Sequence, residues 1–207
     1  YASVTAVKKI DQSHYGNTLR STVIASMQKK ILRRNVVETT LASGFDLHPL
    51  LSRIYSSRDI KSPSEISREL SSLLQPQQLK GLDAAVERLK TALLNRERIV
   101  IIGDFDADGA TSCALAVLAL RAMGHNEVAF LVPNRFEYGY GLTPEIVVLA
   151  AVQKPNVIVT VDNGIASFEG VDKANALGID VVITDHHLAA DGLPSAFAIV
   201  NPNQPGC

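Results

Sequence analysis

The sequence predicts an α/β fold, a parallel sheet with helices on both faces, preceded by a small helical N-terminal segment. After Arg98, short runs of β-branched residues alternate with helical patterns, which is typical of a parallel sheet built from strand–helix–strand units. The strand runs are apolar along their whole length, as expected where both faces of a sheet are covered. We therefore expect residues 98–207 to form the main domain.

The strands and helices of this domain can be assigned in order. The predicted strands lie at residues 99–102, 128–132, 157–161, 181–184 and 196–200. The predicted helices lie at residues 110–123, 144–152 and 165–177. Gly124 and Gly178 follow two of these helices, and glycine commonly ends a helix because it adopts a left-handed conformation without strain. Thr143 before Pro144 suits the start of the middle helix, since threonine caps helices and proline is tolerated in the first turn.

The chain before residue 98 is expected to contribute two segments. Residues 27–97 are predicted to form the helical N-terminal segment, because apolar residues recur there at helical spacing: Leu82, Val86, Leu89 and Leu93. Residues 1–26 are polar and weakly patterned, and Met27 opens a basic run. We therefore expect residues 1–26 to be a non-native or disordered leader.

Composition favours a globular protein without a membrane partner. The longest apolar stretch, residues 113–120, is far shorter than the roughly 18 residues that span a bilayer. Cys113 and Cys207 lack the spacing of metal ligands, and a reducing cytoplasm is the expected location.

The charge is divided unevenly along the chain. The first 98 residues hold 16 Lys and Arg against 9 Asp and Glu, whereas the remainder holds 4 against 12. A basic arm beside an acidic centre suits a polyanion that is held by one part and cut in the other. A solvated basic helical region is the alternative interpretation, and charge alone leaves it open.

Three polar clusters each follow a predicted strand: residues 104–109, 162–164 and 185–187. Because the carboxyl ends of parallel strands share one edge of a sheet, the clusters can meet at one point. Five carboxyl groups and two imidazoles would repel one another or become protonated there unless a cation neutralised them. Oxygen ligands with imidazole favour Mn²⁺ or Mg²⁺, and two ions sharing a carboxylate favour hydrolysis at phosphorus.

Two different kinds of acidic site fit these clusters less well. The acidic run matches the opening of a calcium-binding EF-hand loop, but its twelfth position is Leu115 rather than Glu, and the run follows a strand. A phospho-acceptor signalling domain has an acidic metal pocket but no use for the pair His186 and His187. Taken alone, Asp162 is as well interpreted as a helix cap.

The loop at residues 133–142 offers groups that suit single-stranded nucleic acid. Arg135 is accompanied by Phe136, Tyr138 and Tyr140 among glycines, and guanidinium and aromatic groups bind phosphates and stack on bases. A glycine-rich turn with inward-folded aromatics fits equally well, except that Arg135 is favoured as a phosphate contact.

These motifs resemble those of the DHH phosphoesterase superfamily. The chain from about residue 27 onward is similar in particular to bacterial exonucleases that degrade single-stranded DNA from the 5′ end. The likeness rests on five stretches: DFDADGAT at 104–111, LVPNRFEYGYGL at 131–142, VTVDNG at 159–164, TDHHL at 184–188 and NPN at 201–203.

The resemblance implies specific roles for the clustered residues. It implies two Mn²⁺ or Mg²⁺ ions, with Asp162 bridging them, held by Asp106, Asp108, Asp162 and His186. It implies catalytic roles for His187, at the scissile phosphate, and for Asp104, as a ligand or a partner of ligands. Substrate contacts are expected from Arg135, Tyr140, Thr111 and Asn163.

The function that the resemblance implies is a metal-dependent 5′ to 3′ exonuclease acting on single-stranded DNA in recombination and repair, with a single-strand-binding protein as a partner. Such enzymes carry a further Asp ligand, a DHHA1 domain and an oligonucleotide-binding fold, none of which occurs in these 207 residues. We therefore expect an N-terminal fragment with weak or no activity alone. The alternatives are an oligoribonuclease, a cyclic-dinucleotide phosphodiesterase, a pyrophosphatase or a non-catalytic DNA-binding scaffold.

Overall fold

The computed structural model describes residues 47–207. The expected leader and residues 27–46 of the expected helical segment lie outside the described residues. The described chain falls into two units, residues 47–68 and Glu69–Cys207. The first unit contains helix α1 (Pro49–Ser56) and a 3-10 turn at Pro63–Ile66, which is closed by a capping box between Ser62 and Glu65.

The second unit contains the predicted sheet. Its elements are, in chain order, α2 (Leu82–Asn95), β1 (Ile99–Gly103), α3 (Ala107–Ala122), β2 (Val128–Leu131), α4 (Arg135–Tyr138), α5 (Pro144–Ala151), β3 (Val157–Val161), α6 (Phe168–Ala176), β4 (Asp180–Thr184) and β5 (Ala198–Val200). The strands pair in parallel in the order β2-β1-β3-β4-β5. In this order β2 and β3 lie on opposite sides of β1, so the chain changes direction across the sheet at β1. A crevice opens at the carboxyl ends of the strands where the direction changes.

Helices cover both faces of this sheet, which confirms the predicted fold class. On one face, Ala85 and Ala92 of α2 and Val117 of α3 are buried against alternate strand residues such as Ile101. On the other face, α5 and α6 are buried against the intervening strand residues. Burial on both faces explains why the strands are apolar at every position.

The structure corrects several predicted boundaries. Helix α3 begins at Ala107 rather than at residue 110, because the Asp106 side chain accepts hydrogen bonds from the next turn and caps the helix. Helix α6 begins at Phe168 rather than at residue 165, because a turn closed by the Ser167 N–H on the Gly164 carbonyl precedes it.

The helical segment before the sheet also differs from the prediction. Only α1 and α2 are α-helices between residues 47 and 97, with 3-10 turns between them. Within α2, Ala85 and Ala92 are buried, whereas Val86 from the predicted apolar stripe is half exposed. Because α2 packs on the sheet, the compact unit that contains the sheet begins at Glu69 and includes α2 as well as the predicted domain at residues 98–207. No helix among residues 47–207 is long and apolar enough to cross a membrane.

Gly170 allows α6 to approach the backbone that leads out of the loop at residues 133–142. A Cβ atom at Gly170 would lie 1.9 Å from the carbonyl oxygen of Leu142, whereas a Cβ atom at Gly192 would find its nearest neighbour at 3.9 Å. The contact at Leu142 is with backbone, which cannot move aside as a flexible side chain can.

We expect Gly170→Ala to lower the free energy of unfolding by about 3 kcal/mol, because the added methyl group must push α6 away from Leu142. Gly192→Ala is the matched control and should change the stability by less than about 0.5 kcal/mol. Urea denaturation of both variants measures the difference. Equal stabilities of the two variants would show that the close contact is not required.

Candidate metal centre

The carboxyl ends of β1, β3 and β4 bring the three predicted clusters together. Gly103 pairs with Val161, and Val161 pairs with Thr184, so the three strands end level with one another. The next residue after each strand is an aspartate. A cleft of about 330 Å³ opens here, lined by Asp108, Thr111, Ser112, Val161, Asp162, Thr184, Asp185 and His186.

Two overlapping groups of side chains have ligand atoms close enough to share a cation. Oxygen atoms of Asp104, Asp106 and Asp162 lie within 4.8 Å of one another, and so do ligand atoms of Asp162, His186 and His187. Asp162 belongs to both groups, which is the position that a bridging carboxylate requires. Carboxylates with imidazole form a donor set that fits Mn²⁺ or Mg²⁺.

The electrostatics of the two central carboxylates favour a cation between them. Burial raises the pKa of Asp162, and the nearby Asp106 carboxylate raises it further, against the opposing effect of a hydrogen bond with His186. The pKa of Asp106 lies below its usual value, because its carboxylate accepts hydrogen bonds from the N–H groups of Gly109 and Asp108. A bound cation would favour the ionised form of Asp162 and relieve the repulsion between the two.

The backbone holds Asp162 in a conformation that few non-glycine residues adopt. Its φ angle is 63°, in the left-handed region, and such strain is commonly found at functional sites. The Asp162 N–H donates to the Thr184 carbonyl at 3.0 Å, which ties the turn to β4. The side chain of His186 is 62% exposed, and its Nε2 lies 2.8 Å from Asp162 Oδ1.

His187 is oriented by Asp185. The two side chains meet at 2.7 Å between His187 Nδ1 and Asp185 Oδ1, and this hydrogen bond raises the pKa of His187. Burial opposes ionisation of Asp185. Hydrogen bonds from the Ile165 N–H, the His187 ring and the N–H groups of His187 and His186 together outweigh burial, so the pKa of Asp185 is lowered.

Two asparagines after β5 hold the backbone of the histidine pair. Asn201 is fully buried and donates its amide N–H to the carbonyl of His187 at 3.0 Å. The Asn203 amide donates to the carbonyl of His186. The segment that follows β5 therefore fixes the backbone of the loop that carries both imidazoles.

Asp108 and Thr111 lie on the first turns of α3 and face the same cleft. Asp108 lies outside both cation groups and is exposed. The Thr111 hydroxyl donates to the carbonyls of Ala107 at 2.8 Å and Asp108 at 3.1 Å, which leaves its oxygen able to accept. Asp108 and Thr111 therefore line the cleft, but neither belongs to the two groups of close ligand atoms.

The loop at residues 133–142 lies over the other side of the acidic cluster. Arg135 Nη2 lies 2.8 Å from Asp104 Oδ1, and the Tyr140 hydroxyl lies 3.0 Å from His187 Nε2. Burial, with the charges of Asp104, Asp185 and Asp162, raises the pKa of Tyr140 to about 12. The expected substrate contacts Arg135 and Tyr140 therefore lie at the site. Phe136 is 88% exposed and Tyr140 is 53% exposed, whereas Tyr138 packs against the core, so the alternative of inward-folded aromatics holds for Tyr138 and not for the other two.

Asn163 does not face the cleft as a substrate contact would. It is 2% exposed, and its amide nitrogen donates to the carbonyls of Ile102 at 3.1 Å and Val161 at 3.0 Å. The side chain therefore ties β1 to β3 at the carboxyl edge, between the loops of Asp104 and Asp162. The structure corrects the expected role of Asn163 from substrate contact to a support of the cluster.

Comparison with known proteins agrees with this geometry. Residues 98–207, more than half of the chain, match the family model described as DHH family, N-terminal domain. The chain belongs to the DHH family. The chain is 52% identical over 180 residues to the single-stranded-DNA-specific exonuclease RecJ of Salmonella typhimurium, a match that covers 87% of this chain and 31% of the relative. The chain thus spans about a third of that relative's length.

Two solved structures also match the DHH domain. A crystal structure of exonuclease RecJ bound to manganese matches at 34% identity with a TM-score of 0.59, over 65% of this chain and 34% of that chain. RecJ from Thermus thermophilus in complex with Mn²⁺ matches at 30% identity with a TM-score of 0.55, over 73% of this chain and 21% of that chain.

Sequence reasoning missed the roles of three supporting residues of the DHH domain. The sequence indicates Asp185 only as one of several acidic groups, and it is the residue that orients His187. Asn201 and Asn203 stand out in the sequence only through the family resemblance, yet they hold the histidine loop. Their position directly after a strand at the same sheet edge is a signal that could have identified them.

We expect Asp185→Asn to lower the pKa of His187, because the substitution removes the charge that favours the protonated ring. NMR titration of the His187 ring in the metal-free DHH domain measures this change, with Asp191→Asn in a nearby exposed loop as the control. The pair raises the folded-state pKa of His187 and lowers that of Asp185, so its stabilisation is complete between the ordinary pKa values of a carboxyl and an imidazole. It is lost as pH rises through the raised pKa of His187 and as pH falls through the lowered pKa of Asp185. An unchanged pKa in Asp185→Asn would contradict the assigned contact.

We expect Asn163→Ala to lower the free energy of unfolding by about 2 kcal/mol, because two buried carbonyls lose their donor. Asn175→Ala is the matched control. Asn175 is exposed and donates to a single carbonyl, that of Ser195, so a smaller loss of about 0.5–1 kcal/mol is expected. Urea denaturation measures the free energy of unfolding of both variants. Equal decreases in the two would contradict the proposal that Asn163 joins β1 to β3.

Proposed function

We propose that this DHH domain hydrolyses phosphodiesters of single-stranded DNA from the 5′ end, using two Mn²⁺ or Mg²⁺ ions. The observation that carries the proposal is the position of Asp162 in both groups of ligand atoms. A single carboxylate shared by two ligand groups is what a two-ion site needs, whereas a single structural cation would need only one group.

The ligands that we propose are Asp106, Asp108, Asp162 and His186: the last three line the cleft, and Asp106 has an oxygen within 4.8 Å of ligand oxygens of Asp104 and Asp162. When bound there, the ions would lower the pKa of a coordinated water and neutralise charge on the phosphoryl oxygens. Asp108 is included because it lines the same cleft as Asp162 and His186, from the first turn of α3.

His187 is proposed to act on the scissile phosphate. With Asp185 ionised, His187 Nδ1 carries a hydrogen and donates it to Asp185 Oδ1. The raised pKa of His187 favours a second proton on Nε2, the atom that faces the Tyr140 hydroxyl. A protonated imidazole at this position stabilises negative charge that develops on a phosphoryl oxygen.

Single-strand preference is proposed to come from the loop at residues 133–142. Arg135 offers a fixed positive charge for a phosphate, and its guanidinium carbon lies 5.9 Å from the centre of the Tyr140 ring. The exposed ring of Phe136 is available to stack on an unpaired base. Thr111 lines the cleft, and its hydroxyl would have to turn its hydrogen away from the carbonyls of Ala107 and Asp108 in order to donate to a phosphate. Paired bases would not expose a face to the aromatic rings.

The names of the relatives support the substrate, and the length difference limits what the DHH domain can do alone. The Salmonella protein is named as a single-stranded-DNA-specific exonuclease and is about three times as long as the matched segment. We propose that the 207-residue chain holds ions and cuts slowly, and that full activity requires the remaining length of such a relative. A role in DNA repair and recombination, a cytoplasmic location and a single-strand-binding protein as partner complete the proposal, since all three follow from the substrate.

The test compares three 5′-labelled substrates: single-stranded DNA, the matched duplex and a short RNA. They are offered with Mn²⁺ to this chain and to a chimera in which it replaces the matching segment of the Salmonella relative. The proposal expects metal-dependent shortening of single-stranded DNA by the chimera and only slow shortening by the chain. Preference for RNA would favour an oligoribonuclease, and tight binding without cutting would favour a scaffold. Either result would refute the proposed function.

His186→Gln and Asp162→Asn in the chimera should each reduce the rate by more than about 100-fold, because a ligand contributes more than the outer residues that support it. Asp191→Asn, at an exposed aspartate outside the cleft, should retain the parental rate. Cutting that survives both ligand substitutions would place the chemistry elsewhere.

A further inference from the structure

Asp104 differs from the other carboxylates of the cluster because it forms an ion pair with an arginine. Asp104 Oδ1 accepts hydrogen bonds from its neighbour's N–H, at Phe105, at 2.7 Å and from Arg135 Nη2 at 2.8 Å. Asp106 Oδ1 also accepts from two N–H groups, so the arginine partner and the burial set Asp104 apart, not the number of donors. The Asp104 side chain is 8% exposed, whereas Asp106 lies open to solvent.

The backbone of Asp104 is also fixed more tightly than a freely adjusting ligand would need. Gly109 packs directly on it, since a Cβ atom there would lie 2.5 Å from the Asp104 nitrogen and 2.3 Å from its carbonyl oxygen. This contact joins the end of β1 to the first turn of α3. Asp104 is therefore a rigid point from which another group can be held.

The group that needs holding is α4. This helix has four residues, none of them buried, and a helix so short has no stability of its own. Asn134 caps it, accepting from the Phe136 N–H at 3.0 Å. Glycines with positive φ at Gly139 and Gly141 follow it. Tyr138 packs against the core at the end of the helix, and the Arg135 guanidinium lies 5.9 Å from the centre of the Tyr140 ring, so Asp104 is the charged contact that fixes the direction of Arg135.

We propose that Asp104 is a positioning residue that anchors Arg135 over the cleft, and that it is not a metal ligand. This inference rests on the proposed function, because it assigns Asp104 to the arginine that meets the phosphate. The alternative is that Asp104 joins Asp106 and Asp162 as a ligand, as the proximity of their oxygens allows. An ion on Oδ1 would lie beside the guanidinium and repel it.

The anchor leaves Arg135 able to bind a phosphate. A guanidinium has five N–H donors, and the contact with Asp104 uses a donor on Nη2, so the others can face the substrate. Fixing the side chain before binding removes part of the entropic cost of ordering it on the phosphate. The ion pair also divides the charges of the cluster, with Arg135 neutralising Asp104 and the metal ions neutralising the rest.

The first experiment titrates Mn²⁺ into the full chain by calorimetry, without DNA. The inference expects Asp104→Asn to bind within about threefold of the parent, whereas Asp106→Asn should weaken binding by at least about tenfold, as loss of a direct ligand does. A loss in Asp104→Asn as large as in Asp106→Asn overturns the inference. Thermal unfolding of each variant shows that the chain remains folded.

The second experiment measures binding of an oligothymidine to the full chain over a range of salt concentrations, with Ca²⁺ in place of Mn²⁺. Losing one phosphate contact lowers the slope of log affinity against log salt by about 0.7 for a single strand. We expect this decrease in Arg135→Gln and equally in Asp104→Asn, with no further decrease in the double variant. An unchanged slope in Asp104→Asn, or additive decreases, overturns the inference.

Glu137→Gln is the matched control for the second experiment. It removes one negative charge from the exposed surface of α4 and leaves the pair of Asp104 and Arg135 intact. Its slope should not decrease. Hydrogen exchange adds a readout that does not need DNA: the amides of residues 133–142 should exchange faster in Asp104→Asn and not in Glu137→Gln.

The two proposals fail in different ways. If Asp106→Asn retains the parental Mn²⁺ affinity, or the parent chain binds no oligothymidine, the proposed function falls and the inference falls with it. If Asp106→Asn loses Mn²⁺ affinity and the parent chain binds oligothymidine, the proposed function stands, and an equal loss of Mn²⁺ affinity in Asp104→Asn then shows that only the role of Asp104 is wrong.

Discussion

The parallel alignment of β1, β3 and β4 is the constraint on which the rest of the structure depends. Because these strands end level, the aspartates that follow them, Asp104, Asp162 and Asp185, emerge in one row. Three carboxylates at this spacing are unfavourable unless each has a partner of opposite charge or a set of donors. The other residues of the site supply these charged or hydrogen-bonding partners.

Each aspartate of the row is satisfied in a different way, and the differences give the site its division of roles. Asp185 is surrounded by N–H donors and a histidine, so it stays ionised and orients His187. Asp104 is paired with Arg135. Asp162 is partly desolvated and lies beside Asp106, and both effects raise its pKa. Its ionised form would therefore be stabilised by a bound cation. The three carboxylates thus differ in their partners, and the roles that we propose for them, orienting His187, anchoring Arg135 and binding a metal ion, follow that difference.

The sheet could be predicted from sequence because strands buried on both faces leave a continuous apolar record, and the polar loops after them follow from topology alone. Side-chain contacts between residues that are distant in the sequence could not be predicted in this way. The contact of Asp104 with Arg135 spans 31 residues, and that of Asn201 with His187 spans 14. The role of Asn163 was wrongly predicted for the same reason, since only the register of β1 against β3 buries its side chain. The early start of α3 was missed because Asp106 acts as a helix cap, a role that its pattern as a metal ligand does not reveal.

Anomalous diffraction from crystals of the chain grown with Mn²⁺ tests the central claim most directly. The account predicts anomalous peaks on both sides of the Asp162 carboxylate, one toward Asp106 and one toward His186, about 3.5–4 Å apart as in two-metal sites. Arg135 should remain on Asp104 in the same crystals. The absence of any peak within about 2.5 Å of an Asp162 oxygen, with Mn²⁺ bound elsewhere in the chain, would contradict the account.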